Sequence, residues 1–241
     1  MIDWLLRPAD QPLTVEVAGR ELPLVLRRLP HARRMTLRLA PDGSEARVTL
    51  PRWGRTAEAL AFASSRADWL AGQLAALPRP VALSHGGTLP FTGEPYRLHH
   101  DPAYPRRVVL GDGEIRIGGP AESLAPRLQR WLEGEARRLA SADLAHYCAR
   151  AALPAPPLAL SRAQRRWGSC ARNGAIRINW RLVMAPPQVR RSVVAHEVAH
   201  LVHFDHSPRF HAFLAEIFEG DVSEADRWLR REGRSLYQPF G

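Results

Sequence analysis

Pro187-Gln188-Val189-Arg190-Arg191-Ser192-Val193-Val194-Ala195-His196-Glu197-Val198-Ala199-His200-Leu201-Val202-His203-Phe204 decides how this chain reads. Val189, Val193, Val194, Val198, Leu201 and Val202 recur near helical spacing, and Pro186-Pro187 suit a first helical turn, where the missing N–H costs nothing. The stretch predicts one amphipathic helix over about 187–204. Inside it lies His196-Glu197-Val198-Ala199-His200. Helical positions i and i+4 differ by about 40° of rotation and about 6 Å of rise. Both imidazoles can therefore reach one ion at a metal–nitrogen distance near ~2.1 Å. Glu197 is rotated by about 100° from His196, where its carboxylate can meet a water polarised by the metal without ligating. Zinc lowers the pKa of such a water, and Glu197 is the group expected to take its proton.

Five of the ten histidines fall between positions 196 and 211: His196, His200, His203, His206 and His211. On a continued helix His203 would share the face of His196 and His200. Three Cα atoms nearly on one line over about 10 Å suit a tetrahedral site poorly. His206 can ligate only if the chain turns first. Asp205 tolerates positive φ, and Ser207-Pro208 reads as N-cap plus first position of a new helix. The third ligand is therefore expected to be His206, with His203 beside the site or against substrate.

Working outward, Asn173-Gly174 is a strong hairpin signal, and it joins the segment ending in Arg166-Trp167-Gly168-Ser169-Cys170 to Ile176-Arg177-Ile178-Asn179-Trp180. Asn179 is a candidate to tie this hairpin to the helix. Glu122 to Ala152 reads as a long helix closed by Pro154, Pro156 and Pro157. Further upstream, Met35–Leu39 and Ala46–Leu50 alternate strictly around Pro41-Asp42-Gly43, and a second hairpin flanks Gly111-Asp112-Gly113. Thr56 to Leu77 reads as one helix, with Thr56 as N-cap and Pro78 ending it. The fold class is α+β. An antiparallel, β-rich N-terminal lobe with a helix spans 1–119, and a catalytic domain spans 120–241, with a long helix at 122–152 and a hairpin at 158–180. No internal repeat is visible.

Composition narrows the function. The 241 residues carry a net charge of +10, and all 34 basic side chains are arginine. Without lysine, Schiff-base chemistry and a P-loop lysine are excluded. Arginine doublets are spread along the chain, which reads as a coding bias. Arg165-Arg166, in the hairpin expected to border the metal, is the exception. Cys148 and Cys170 are too few for a disulfide scaffold, no apolar run approaches a membrane span, and Met1–Arg7 lacks the features of a signal peptide. A cytoplasmic location and no membrane partner are the expectation. Cys170 has no neighbour in sequence that marks it as a thiolate.

Taken together, Arg166-Trp167-Gly168-Ser169-Cys170, Ile176-Arg177-Ile178-Asn179-Trp180-Arg181-Leu182, His196-Glu197-Val198-Ala199-His200-Leu201 and His206-Ser207-Pro208-Arg209-Phe210 resemble the YgjP-like metallopeptidase family. That family looks related to SprT-like and other small zincin domains. The resemblance is strongest over about 158–218, and Arg33–Arg38 before Pro41-Asp42-Gly43 is similar to the family's β-rich lobe. It implies one zinc per chain held by His196, His200 and His206, with Glu197 as general base, and a peptide or protein substrate along a sheet edge. Where the family usually ends the motif with Phe then Trp, Phe210 is followed here by His211.

Three functions follow: a zinc metallopeptidase, a metal-dependent nucleotide pyrophosphohydrolase using arginine to clamp phosphates, or a nucleic-acid-associated, SprT-like protease. The first leads, since no glycine loop supports the second and no zinc finger supports the third. Arg166, His203 and His211 are the candidates to steady an oxyanion.

Overall fold

The computed structural model describes residues 12–77 and 83–240. Met1–Arg7 and Pro78, used in the reading above, lie outside the described residues. The chain divides into two compact units, Met1–Pro78 and Arg79–Phe240.

The first unit holds β1 (Thr14–Val17), β2 (Arg20–Leu29), β3 (Thr36–Leu39) and β4 (Ala46–Pro51), in the order β1-β2-β4-β3. Strand alternation turns Val15, Val17, Leu22, Leu24, Val48 and Leu50 to one side, where they form a core with Ala59, Ala63 and Leu70. The Pro41-Asp42-Gly43 turn is present, with Gly43 at φ +73°. The lobe is mixed rather than antiparallel, because β2 and β4 pair in parallel. β3 hairpins onto the far side of β4, so β4 is left running with β2. The expected single helix is two, α1 (Thr56–Ser64) and α2 (Ala67–Ala75). The break has a local cause: Ser65 Oγ donates to the Phe62 carbonyl (2.9 Å) and the Arg66 N–H closes on Ala63 O (3.1 Å). Arg55, not Thr56, is the N-cap.

The second unit opens with β5 (Thr88–Phe91), β6 (Glu94–His100), β7 (Val109–Gly111) and β8 (Glu114–Ile117), ordered β5-β6-β8-β7. This repeats the pattern of the first sheet, two antiparallel pairs joined by a central parallel one. Next comes α3 (Leu124–Arg150), then a sheet of β9 (Leu158–Ser161), β10 (Gly168–Cys170) and β11 (Ile176–Asn179), in the order β10-β11-β9. The β10–β11 hairpin turns at Gly174 (φ +83°), and β9 pairs with β11 in parallel. Three helices complete the unit: α4 (Pro187–Ala199), α5 (Pro208–Ile217) and α6 (Val222–Glu232).

The division of the chain falls well before residue 119. Leu89, Leu98, Ile115 and Ile117 of the second sheet share one core with Leu124, Leu128 and Leu132 of α3 and with Val194 and Val198 of α4. The sheet thus belongs with the helices that follow it, and the proline cluster after α3 lies within one packed unit. Among the described residues, no helix is long and apolar enough to cross a membrane.

Candidate metal centre

α4 begins at Pro187 and ends at Ala199, with His200 as its C-cap. The chain leaves the helix several residues earlier than its apolar spacing suggests. The N–H groups of Val202 and His203 both close on the Ala199 carbonyl (3.2 and 3.0 Å), and Val202 and Phe204 are exposed. This turn has a chemical consequence. It carries the His203 carbonyl to 3.0 Å from His200 Nδ1. A carbonyl only accepts, so Nδ1 carries the proton and Nε2 of the neutral ring presents a lone pair. The His203 ring points elsewhere, against Phe213 at 5.9 Å between centroids.

His206 follows the turn and immediately precedes α5, whose N-cap Ser207 accepts from the Phe210 N–H. His196, His200 and His206 each bring one ring nitrogen to a common point, with these atoms within 4.8 Å of one another. His200 Nε2 and His206 Nε2 stand 3.1 and 3.2 Å from His196 Nε2. A tetrahedron built on ~2.1 Å metal–nitrogen bonds has edges of about 3.4 Å, so the donor set fits a single small cation. Among the described residues this is the one such group of three. Burial pushes the His196 imidazole down to about 4, with His200 and His206 adding to the effect, and burial also lowers His200. Neutral imidazoles are the form that ligates.

The sequence did not mark Phe210 for a role here. Its ring is fully buried and lies 4.9, 4.6 and 4.9 Å from those of His196, His200 and His206. It is the apolar floor on which all three imidazoles rest. The signal was available, since a helix starting at Ser207-Pro208 puts Phe210 in its first turn. His211 lies at the rim, with its ring 6.4 Å from that of His206.

Glu197 is 6% exposed. Burial pushes its carboxyl up to about 7, opposed by the Cys170 backbone N–H, which donates to it, and by the Arg166 guanidinium. Both opposing groups come from the hairpin segment. Gly168 of β10 lies directly against the same carboxylate. Of the oxyanion candidates, Arg166 and His211 thus border the site, and His203 contributes its carbonyl. Burial, and secondarily Glu197, raises the Cys170 thiol, which fits a structural cysteine. Asn179 is fully buried but does not reach α4. Its Nδ2 donates to Ala163 O (2.7 Å) and its Oδ1 accepts from Arg181 N–H (3.1 Å), fastening the hairpin to its own flanks.

Behind the site, α4 is anchored by charge. Arg190 Nε donates to Asp143 Oδ2 of α3 at 2.7 Å, with both side chains largely buried. Arg191 pairs with Glu219 and donates to the Tyr147 hydroxyl (3.0 Å), which in turn donates to Glu219 (3.2 Å). These groups come from three separate segments, so no local pattern announces them.

A family model matches the chain. The YgjP-like metallopeptidase domain matches residues 33–232, which covers most of the chain. The chain belongs to the YgjP-like family. No curated protein and no solved structure matches it significantly. At the level of the family, the protein is a metallopeptidase, and the match extends through both units.

Proposed function

We propose that this member of the YgjP-like family is a zinc-dependent peptidase in which His196, His200 and His206 hold one metal ion and Glu197 is the general base. The convergence of three histidine nitrogens, 3.1 and 3.2 Å apart, beside a buried carboxylate carries the reading. A closed structural site has no use for such a carboxylate. Bound there, zinc supplies Lewis acidity to a water and to the scissile carbonyl. Glu197 removes the proton of the attacking water and delivers it to the departing amine. The Cys170 N–H holds one side of that carboxylate in place while it does so.

Substrate polypeptide has an edge to join. In the β10–β11 hairpin, the Asn179 N–H bonds to Trp167 O (2.7 Å) and the Ala171 N–H to Ala175 O (2.9 Å). Antiparallel alternation then turns the main-chain groups of Gly168 and Cys170 away from β11. The Cys170 N–H meets Glu197, so this edge, paired with no further strand among the described residues, runs beside that carboxylate. An extended peptide paired with β10 would present its backbone to Glu197.

Metal analysis of the purified protein and a peptide-hydrolysis assay test the proposal together. About one zinc per chain is expected, and Glu197→Gln should keep that zinc and lose hydrolysis. Full activity in the Glu197→Gln protein overturns the mechanism.

A further inference from the structure

One end of the N-terminal sheet gathers arginines that lie far apart in sequence. β2 and β4 run parallel, so their C-terminal ends lie together, and β3, antiparallel to β4, starts at the same end. Arg27 and Arg28 close β2, Arg33 and Arg34 lie in the connection to β3, and Arg52 and Arg55 follow β4; all six are exposed. Arg28 Nη2 donates to Thr56 Oγ1 (2.8 Å), which ties the end of β2 to the start of α1, next to Arg55. Between Arg52 and Arg55 stands Trp53, 79% exposed, the most exposed large apolar side chain among the described residues.

No acidic residue occurs in 22–41 or 46–57. Asp42 and Glu45 sit at the opposite end, around the β3–β4 turn, and Glu58 accepts from the Arg55 backbone N–H (3.2 Å). Among the described residues, none of the six arginines has a carboxylate partner. An exposed indole is costly to leave in water and has no packing duty here. Placed amid uncompensated guanidinium groups, it marks a surface for a partner that is both anionic and aromatic.

We propose that this end of the N-terminal sheet binds single-stranded nucleic acid, with Trp53 stacking on a base and the surrounding arginines meeting phosphates. Guanidinium groups take phosphate oxygens in pairs, and base–indole stacking is indifferent to sequence. A duplex hides its base faces within its own stack, whereas a single strand offers them. A membrane surface fits less well, because among the described residues Trp53 and Leu29 are the only large apolar side chains exposed at this end. The proposal is independent of the metal centre, since every residue in it belongs to the first unit.

Fluorescence anisotropy with a labelled oligothymidylate and the full-length protein tests it. Binding should weaken steeply as salt rises, because phosphate contacts release counterions. Trp53→Ala should weaken binding by about tenfold, the loss of one stacked base. The double variant Arg33→Glu/Arg34→Glu should lose at least as much. Arg230→Glu/Arg231→Glu, the same charge change made on α6, should retain most of the affinity. Unchanged binding by Trp53→Ala overturns the proposal, as does an equal loss in the α6 variant or equal affinity for a duplex. Trp53-dependent capture on phosphatidylserine vesicles without oligonucleotide binding overturns it in favour of a membrane.

Discussion

Gly168 lies so close to Glu197 that a β-carbon at position 168 would stand 2.3 Å from Glu197 Oε1 and 2.7 Å from its Cγ. The glycine is therefore a condition of where the buried carboxylate sits. The β10 backbone passes at a distance that a β-carbon would not permit with the carboxylate where it stands, and that approach lets the Cys170 N–H donate to Glu197.

Replacing Gly168 by Ala should push the Glu197 carboxylate aside while leaving the three histidines undisturbed. A misplacement of this size costs on the order of a hundredfold in turnover. Peptide hydrolysis should fall by that order with zinc content unchanged. Loss of zinc in step with activity would show that the glycine serves the metal rather than the base.

His206 and His203 should separate cleanly in metal affinity. His206 offers a ring nitrogen to the cluster, whereas His203 offers its backbone carbonyl, which any residue supplies. Competition with a chromophoric chelator should show His206→Ala weakened by at least about a hundredfold. His203→Ala should stay close to the parent. The reverse order would make His203 the third ligand.

Asp143→Ala leaves Arg190, a largely buried guanidinium, without its carboxylate. Breaking such a pair from one side costs about 3–5 kcal/mol. Urea denaturation should register that loss, with Asp143→Ala/Arg190→Met recovering much of it. A loss below about 1 kcal/mol, the range of exposed pairs, would mean the pair is solvated.

Cys170 should alkylate late on a pH scale. Burial, then the neighbouring Glu197 charge, raises its thiol, so less thiolate is present at any given pH than for a free cysteine. The iodoacetamide rate, followed by peptide mapping, should rise through a midpoint above the ordinary value of about 8.5. Glu197→Gln removes the smaller contribution and should draw the midpoint part of the way back. A midpoint below the ordinary value would mark Cys170 as an activated thiolate instead.

Features set by a few neighbouring residues were legible in the sequence. The turns at Pro41-Asp42-Gly43, Gly111-Asp112-Gly113 and Asn173-Gly174 all form, because proline and residues tolerant of positive φ bias the chain locally. Parallel pairing was not legible. β2 with β4, β6 with β8 and β9 with β11 each join strands separated by an intervening segment, and no short pattern records which distant edge a strand will meet. The two sheets of identical strand order escaped notice for the same reason: their sequences differ while their topologies agree.

The sequence by itself determined the chemistry on offer. A helical repeat of 3.6 residues sets His196 and His200 on one face, and Ser207-Pro208 demands a new helix after a turn that frees His206. Tertiary structure alone decided how that chemistry is held. It laid Phe210 beneath three imidazoles, brought the His203 carbonyl to His200, drew β10 against Glu197, and gathered arginines from three segments at the end of the sheet that carries Trp53. Local geometry propagates over one or two turns of chain, whereas burial, desolvation and charge depend on which distant segments pack together, and that is a property of the whole fold.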